Sequence, residues 1–128
     1  MKEYVRTILD YPVKGIQFRD ITTLLQNADH FTQVIDEMIK PWKNEKIDAI
    51  VSIESRGFIM AGAIAYELNT AFIPFRKPDK LPGETYQVSY TLEYGSTEMH
   101  VHKDALDEHT DVLIIDDLLA TGGTALAA

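Results

Sequence analysis

The chain has 128 residues, of which 45% are hydrophobic and 25% charged, so its length suits one domain and its composition excludes a disordered polypeptide. The formal net charge of −8 argues against broad nucleic-acid binding, although a locally positive site can still take a small anion. There is no cysteine, no signal-peptide run and no apolar run of the roughly 18 residues that a membrane span needs. We therefore expect a cytoplasmic protein without disulfides, bound to neither membrane nor nucleic acid.

The first predicted elements are helical. Residues 3–9 are predicted to form a short helix that stops before Pro12, and the segment GIQFRDIT is predicted to be a loop. Within 31–42 the apolar residues recur at helical spacing, which predicts an amphipathic helix with Asp29 as its N-cap.

The central part of the chain predicts a βαβ unit. Ala49–Ile53 and Ala71–Phe75 are apolar runs of strand length, and 58–68 is apolar nearly all round, as for a helix packed on a sheet. Strand, helix and strand at this spacing give a parallel, right-handed crossover.

A hairpin and a further strand complete the predicted architecture. Segments 88–92 and 99–103 are predicted to pair across a turn, and Val112–Ile115 is predicted to be a fully buried strand. The sequence therefore predicts an α/β fold with a parallel central sheet, flanking helices and an inserted hairpin.

Short polar motifs follow three of the predicted strands. They are Glu-Ser-Arg-Gly at 54–57, Arg-Lys-Pro-Asp-Lys at 76–80, and the stretch at 116–124. Ligands of an open parallel sheet bind beyond the carboxyl ends of its strands, so we expect the three motifs to converge in one site.

The last motif suits a phosphate and a diol. The turn Thr-Gly-Gly-Thr at 121–124 offers backbone N–H groups, close approach and two hydroxyls, as a phosphate monoester requires. Asp116 and Asp117 repel each other unless a donor or cation lies beside them, and a ribose diol or Mg²⁺ meets that need. An ordinary strand–helix turn and a solvated acidic pair remain the alternatives.

Cationic residues in the other two motifs suit a more highly charged group. Arg76, Lys77 and Lys80 cluster in a loop stiffened by prolines, and Ser55 with Arg56 can donate to the same anion. A solvated basic loop and a simple turn remain the alternatives. The residues together predict a ribose with a phosphate at one end and a pyrophosphate-like group at the other.

The stretch VLIIDDLLATGGT resembles, position by position, the phosphoribosyl pyrophosphate signature of type I phosphoribosyltransferases. The segments GIQFRDIT, SRGF, RKPDKLP and LEYG, in this order, are similar to those of the adenine phosphoribosyltransferases, and the resemblance covers nearly the whole chain. It implies the type I phosphoribosyltransferase fold as a single domain over residues 1–128, with an N-terminal hood at about 1–25, a core at about 26–128 and a flexible hairpin lid.

The resemblance also implies an enzyme and its reaction. Adenine and phosphoribosyl pyrophosphate would give AMP and pyrophosphate with Mg²⁺, in a purine salvage enzyme that forms a homodimer. The residues that would cradle the ribose phosphate are Ala120, Thr121, Gly122, Gly123 and Thr124. Those that would hold pyrophosphate are Ser55, Arg56, Arg76, Lys77 and Lys80.

The remaining roles implied by the resemblance concern the ribose, the base and the lid. Asp116 and Asp117 would take the ribose hydroxyls and shape the Mg²⁺ shell. Glu93 and Tyr94 would close over the reactants as catalytic residues, unless Glu93 is only a solvent-facing hairpin residue. Those that would bind adenine are Phe18 and Leu118 on its faces and Gln17 and Arg19 at its edge.

The chain also departs from the family's pattern. Asn69 stands where a glycine often ends the helix, a geometry that asparagine tolerates. The chain stops four residues after the phosphate turn, whereas the family continues, so we expect C-terminal elements of the fold to be missing. A sensor that binds phosphoribosyl pyrophosphate, or an inactive truncated domain, is therefore the alternative function.

Overall fold

The computed structural model describes residues 2–91, 95–120 and 122–128. The chain divides into two compact units, Met1–Pro41 and Trp42–Ala128. The predicted hood at 1–25 falls inside the first unit, and a single domain over residues 1–128 stays a prediction.

An antiparallel pair of strands opens the first unit. Strand β1 (Arg6–Leu9) pairs with β2 (Gln17–Asp20) after a 3-10 turn at Lys2–Tyr4, and helix α1 (Thr22–Leu25) follows. The helix predicted at 3–9 is therefore wrong, as is the loop predicted for GIQFRDIT. So short a helix is marginal alone, whereas strand pairing satisfies the backbone of both segments.

Helix α2 (Ala28–Ile39) confirms the amphipathic helix predicted for 31–42, although the α-helix ends at Ile39 and a 3-10 turn, Lys40–Trp42, follows. Its buried residues are Val34, Ile35 and Ile39. The N-cap is Asn27 rather than the predicted Asp29, because the Asn27 side chain accepts the His30 backbone N–H at 3.0 Å.

The second unit is built on a three-stranded parallel sheet, which confirms the predicted parallel central sheet. Strand β3 (Ala49–Ile53) is buried along its whole length and lies between β4 (Ala71–Phe75) and β7 (Val112–Ile115). Helix α3 (Gly57–Leu68) makes the crossover from β3 to β4. The predicted complete burial of β7 is wrong, because it is an edge strand with Val112 44% and Ile114 40% exposed.

A hairpin and a short helix complete the second unit. Strands β5 (Thr85–Thr91) and β6 (Ser96–His102) pair antiparallel, which confirms the predicted hairpin, but each strand begins earlier than the predicted 88–92 and 99–103. The hairpin is joined to the end of β4 by two backbone hydrogen bonds between Arg76 and His100, at 2.9 and 2.8 Å. Helix α4 (Gly123–Ala127) follows β7.

Apolar packing holds the hairpin against the sheet. Val51, Ile53 and Phe75 of the sheet form one buried cluster with Met99 of β6.

Within the described residues, no helix has the length and apolarity to cross a membrane.

Candidate active site

A cleft of about 450 Å³ lies at the carboxyl ends of the three sheet strands. The predicted convergence of the three polar motifs is therefore found. The residues that line the cleft come from all three motifs and from the hairpin: Ile53, Glu54, Ser55, Arg56, Arg76, Lys77, Tyr90, Thr97, Glu98, Met99, Asp116, Asp117, Leu118 and Thr124.

The two aspartates after β7 occupy different environments. The Asp117 side chain is only 5% exposed and forms an ion pair with Arg56, with 2.9 Å between Asp117 Oδ2 and Arg56 Nε. Asp116 Oδ1 accepts the backbone N–H of Asp117 at 2.9 Å. Burial, reinforced by the neighbouring Asp117, raises the pKa of Asp116 above its ordinary value. The pair therefore holds excess negative charge that a cation or a hydroxyl donor would relieve.

Gly57 allows Asp116 to sit against the start of helix α3. A Cβ at Gly57 would lie 2.5 Å from Ser52 Oγ and 2.7 Å from Asp116 Oδ1, both inside van der Waals contact. The Ser52 hydroxyl is buried, and the described residues give it no hydrogen-bond partner. Close packing of helix on sheet thus fixes where the Asp116 carboxylate lies.

A carboxylate anchors the cationic motif after β4. Glu54 Oε2 accepts both the Arg76 Nε–H and the Lys77 backbone N–H, each at 2.8 Å. Burial alone would raise the pKa of Glu54, but these two donors outweigh it and the pKa is lowered, so the carboxylate is charged at neutral pH. The Arg76 guanidinium also lies 5.8 Å from the centre of the Phe58 ring.

The hairpin brings polar residues that the sequence did not indicate. Thr97 and Glu98 of β6 line the cleft because the backbone pairing of His100 with Arg76 places β6 beside it. His100 lies between Thr85 Oγ1, at 3.1 Å from Nδ1, and Glu98 Oε2, at 3.2 Å from Nε2. Only the tertiary pairing could reveal that Thr97 and Glu98 line the cleft. For Glu54 a signal existed, since it is an acid directly after a buried strand.

The turn before α4 suits a small anion at its backbone. Gly122 has φ +84°, a conformation that favours glycine, and nothing lies within 4 Å of the position of a Cβ. Thr124 lines the cleft, whereas Ala120, Gly122 and Gly123 are not among its lining residues. Thr121 lies outside the described residues.

The structure does not bring every predicted site residue into the cleft. Lys80 is exposed and does not line it. Gln17, Phe18 and Arg19 belong to the first compact unit. Glu93 and Tyr94, the predicted catalytic residues, lie outside the described residues.

The adenine-binding candidates of the first unit share strand β2. The Phe18 ring meets the Tyr11 ring edge to face, with 5.1 Å between centroids. Arg19 donates to the Thr7 hydroxyl and, at 3.4 Å, to the Gln17 side chain. Their role toward a base stays a prediction.

Comparison with known proteins finds a matching domain family and similar proteins. The model of the phosphoribosyl transferase domain matches residues 17–128. An adenine phosphoribosyltransferase of Pelagibacter ubique (strain HTCC1062) is 57% identical over 128 residues, which is all of this chain and 73% of that protein.

Solved structures agree with this comparison. The adenine phosphoribosyltransferase of Thermoanaerobacter pseudethanolicus superposes with a TM-score of 0.94 at 47% identity, covering 98% of this chain and 73% of that one. The Saccharomyces cerevisiae enzyme, complexed with an imino-altritol bisphosphate and adenine, gives a TM-score of 0.91 at 37% identity, covering 98% and 74%. Both superpositions bear out the type I phosphoribosyltransferase fold.

Proposed function

Because the chain belongs to the phosphoribosyltransferase family, among its adenine phosphoribosyltransferases, we propose that the cleft at the carboxyl ends of β3, β4 and β7 holds the reacting groups. The reaction is the purine salvage step in which the phosphoribosyl group of phosphoribosyl pyrophosphate is transferred to adenine, giving AMP and pyrophosphate. The observation that carries the assignment is the meeting of three donor-rich motifs with two adjacent carboxylates in one cleft. The relatives described above are named as enzymes, so the sensor alternative gains no support from them.

Pyrophosphate is proposed to bind at the cationic side of the cleft. Arg56, Arg76 and Lys77 line it with Ser55, and Lys80 would join them from the same loop as Arg76. Departure of pyrophosphate leaves negative charge on its oxygens, and preorganised cations stabilise that charge in the transition state. Two of these cations are already paired with carboxylates, Arg56 with Asp117 and Arg76 with Glu54, so their side chains are held in place.

The ribose hydroxyls and Mg²⁺ are proposed to bind at Asp116 and Asp117. Two carboxylates with excess negative charge are oxygen ligands of the kind that Mg²⁺ prefers. Among the described residues no group of three or more ligating side chains is found, so the remaining ligands would come from substrate and water, as is usual for Mg²⁺. When bound, Mg²⁺ would offset the negative charge of the pyrophosphate group.

The other contacts follow the family resemblance. Ala120, Thr121, Gly122, Gly123 and Thr124 would cradle the ribose phosphate, and the left-handed Gly122 supports a tight turn there. Phe18 and Leu118 would sandwich adenine while backbone groups near Gln17 and Arg19 read its edge. Glu93 and Tyr94 would close over the reactants and exclude water, whose attack would hydrolyse the activated ribose.

A homodimer and a cytoplasmic location complete the proposal. Helix α3 presents the apolar residues Ile59 and Tyr66 to solvent, and Tyr66 is 87% exposed. Such a surface suits contact with a second copy of the chain. The absence of cysteine is compatible with a reducing compartment.

Turnover with different bases tests the proposed function. The chain is incubated with phosphoribosyl pyrophosphate, Mg²⁺ and adenine, with hypoxanthine and guanine in parallel, and the nucleotide product is measured. We expect AMP from adenine and no product from the other two bases. Binding of phosphoribosyl pyrophosphate without turnover would favour the sensor. Absence of both binding and turnover would contradict the enzyme and the sensor alike.

A further inference from the structure

The Glu54 side chain stands out because it is an acid among residues proposed to bind an anion. It is only 12% exposed, and its Oε2 holds two donors of the cationic motif, the Arg76 Nε–H and the Lys77 backbone N–H. The backbone N–H of Glu54 donates in turn to the Phe75 carbonyl at 2.9 Å. An isolated acid would repel pyrophosphate, so its presence calls for a compensating role.

The arrangement of Arg76 suggests that role. Glu54 engages Nε, the Phe58 ring lies beside the guanidinium, and the backbone of Arg76 is paired with His100. Within the part of the chain that the structure describes, the two terminal nitrogens of Arg76 make no hydrogen bond. Those nitrogens form the fork with which arginine binds phosphate oxygens bidentately.

We propose that Glu54 is a positioning residue for the leaving pyrophosphate, acting through Arg76 and Lys77. By fixing Nε it orients the terminal fork of Arg76, and by accepting the Lys77 N–H it fixes the start of the cationic motif. Because both groups are ordered before the substrate arrives, less conformational entropy is lost when pyrophosphate binds. This inference rests on the proposed function, since it assigns pyrophosphate to that side of the cleft.

Glu54 acts on pyrophosphate in two opposing ways, which makes the proposal testable. Its charge repels the anion, while its hydrogen bonds orient the cations. Glu54→Gln removes the charge and keeps an acceptor oxygen, Glu54→Asp keeps the charge and draws it back, and Glu54→Ala removes both. If orientation of the cations outweighs charge repulsion, the Glu54→Gln variant retains pyrophosphate binding, whereas the Glu54→Ala and Glu54→Asp variants lose it.

Binding of magnesium pyrophosphate, measured by calorimetry, is the experiment, with AMP binding as the second readout. We expect Glu54→Ala and Glu54→Asp to weaken pyrophosphate binding about tenfold and Glu54→Gln to change it less than about threefold, with AMP affinity unchanged in all three. In an Arg76→Ala background, Glu54→Ala should add less than about a threefold loss, because the two residues act as a unit.

Asp48 provides a matched control outside the cleft. One of its carboxylate oxygens likewise holds a lysine, Lys46 Nζ at 3.2 Å, and a backbone N–H, that of Asp111 at 3.0 Å, next to the amino end of β3. Asp48→Ala should therefore leave pyrophosphate binding unchanged.

Two results would overturn the inference. In the first, Glu54→Ala leaves pyrophosphate affinity intact while Arg76→Ala weakens it. In the second, pyrophosphate and AMP affinities fall together with the melting temperature, which indicates a purely structural role. Failure of the proposed function looks different, since Arg76→Ala would then have no effect and the wild-type chain would bind neither pyrophosphate nor AMP.

Discussion

At the scale of the residue, Gly57 and Gly62 lie on the same helix in contrasting surroundings. A Cβ at Gly57 would collide with Ser52 and Asp116, whereas nothing lies within 4 Å of one at Gly62. Gly57 is therefore required by the site, whereas Gly62 only lowers the stability of the helix relative to alanine.

Replacement of the two glycines by alanine should separate these roles. Overpacking of this kind costs about 1–3 kcal/mol, so we expect Gly57→Ala to lower the free energy of unfolding by that order. Displacement of the Asp116 carboxylate should also reduce AMP formation about tenfold or more. Gly62→Ala, the matched control, should raise stability by about 0.5–1 kcal/mol and leave AMP formation unchanged. Urea unfolding and the AMP assay measure both effects, and equal behaviour of the two variants would contradict the role given to Gly57.

At the scale of the element, helix α3 both carries the Arg56–Gly57 turn and leads into β4. It ends at Leu68, and its C-cap, Asn69, has φ 53°, in the left-handed region. The backbone N–H groups of Asn69 and Thr70 donate there to the carbonyls of Tyr66 and Ala65, at 3.2 and 2.9 Å. The left-handed residue turns the chain toward the strand that presents the cationic motif.

Substitutions at Asn69 should follow left-handed propensity. Alanine in this conformation costs about 1–2 kcal/mol relative to glycine, and asparagine lies between them. We therefore expect the free energy of unfolding to decrease in the order Asn69→Gly, wild type, Asn69→Ala. Glu67→Ala, an exposed change in the same helix, should have little effect. Urea denaturation orders the variants, and an Asn69→Ala protein as stable as Asn69→Gly would show that the cap conformation does not matter.

At the scale of the whole molecule, two aspartates link stability to pH with opposite signs. The Thr22 hydroxyl and the Arg6 guanidinium lower the pKa of Asp20 to about 2, from an ordinary value of 3.8. Its contribution to stability is therefore present above pH 3.8 and is lost as the pH falls toward 2. The pKa of Asp116 is raised in the folded state, so its ionised form at neutral pH lowers the free energy of unfolding. This destabilisation disappears as the pH falls toward 3.8 and the carboxylate is protonated.

Replacement of Asp20 and of Asp116 by asparagine should reveal their opposite effects on stability. Asp20→Asn should be less stable than the wild type at neutral pH, with the difference narrowing between about pH 4 and pH 2. Asp116→Asn should be more stable than the wild type at neutral pH, lose that advantage in acid, and make no AMP. Fluorescence of Trp42, the single tryptophan, follows urea unfolding across pH. A less stable Asp116→Asn protein at neutral pH would contradict the raised pKa.

Local sequence patterns were enough to predict the sheet and the place of the site. Ala49–Ile53, Ala71–Phe75 and Val112–Ile115 are strands with the predicted bounds, because apolar runs of that length encode sheet strands locally. The motifs that follow them meet because the carboxyl ends of parallel strands share an edge. The family resemblance rested likewise on contiguous segments, VLIIDDLLATGGT above all, and is confirmed by the comparisons.

Features that depend on partners distant in sequence could be seen only in the folded chain. Arg6–Leu9 is a strand because Gln17–Asp20 pairs with it, and β7 is half exposed because it lies at an edge. Glu54 meets Arg76, and β6 reaches the cleft, through contacts more than 20 residues apart. A local pattern records whether a residue is apolar, but burial, hydrogen-bond partners and pKa depend on which segments the fold packs together.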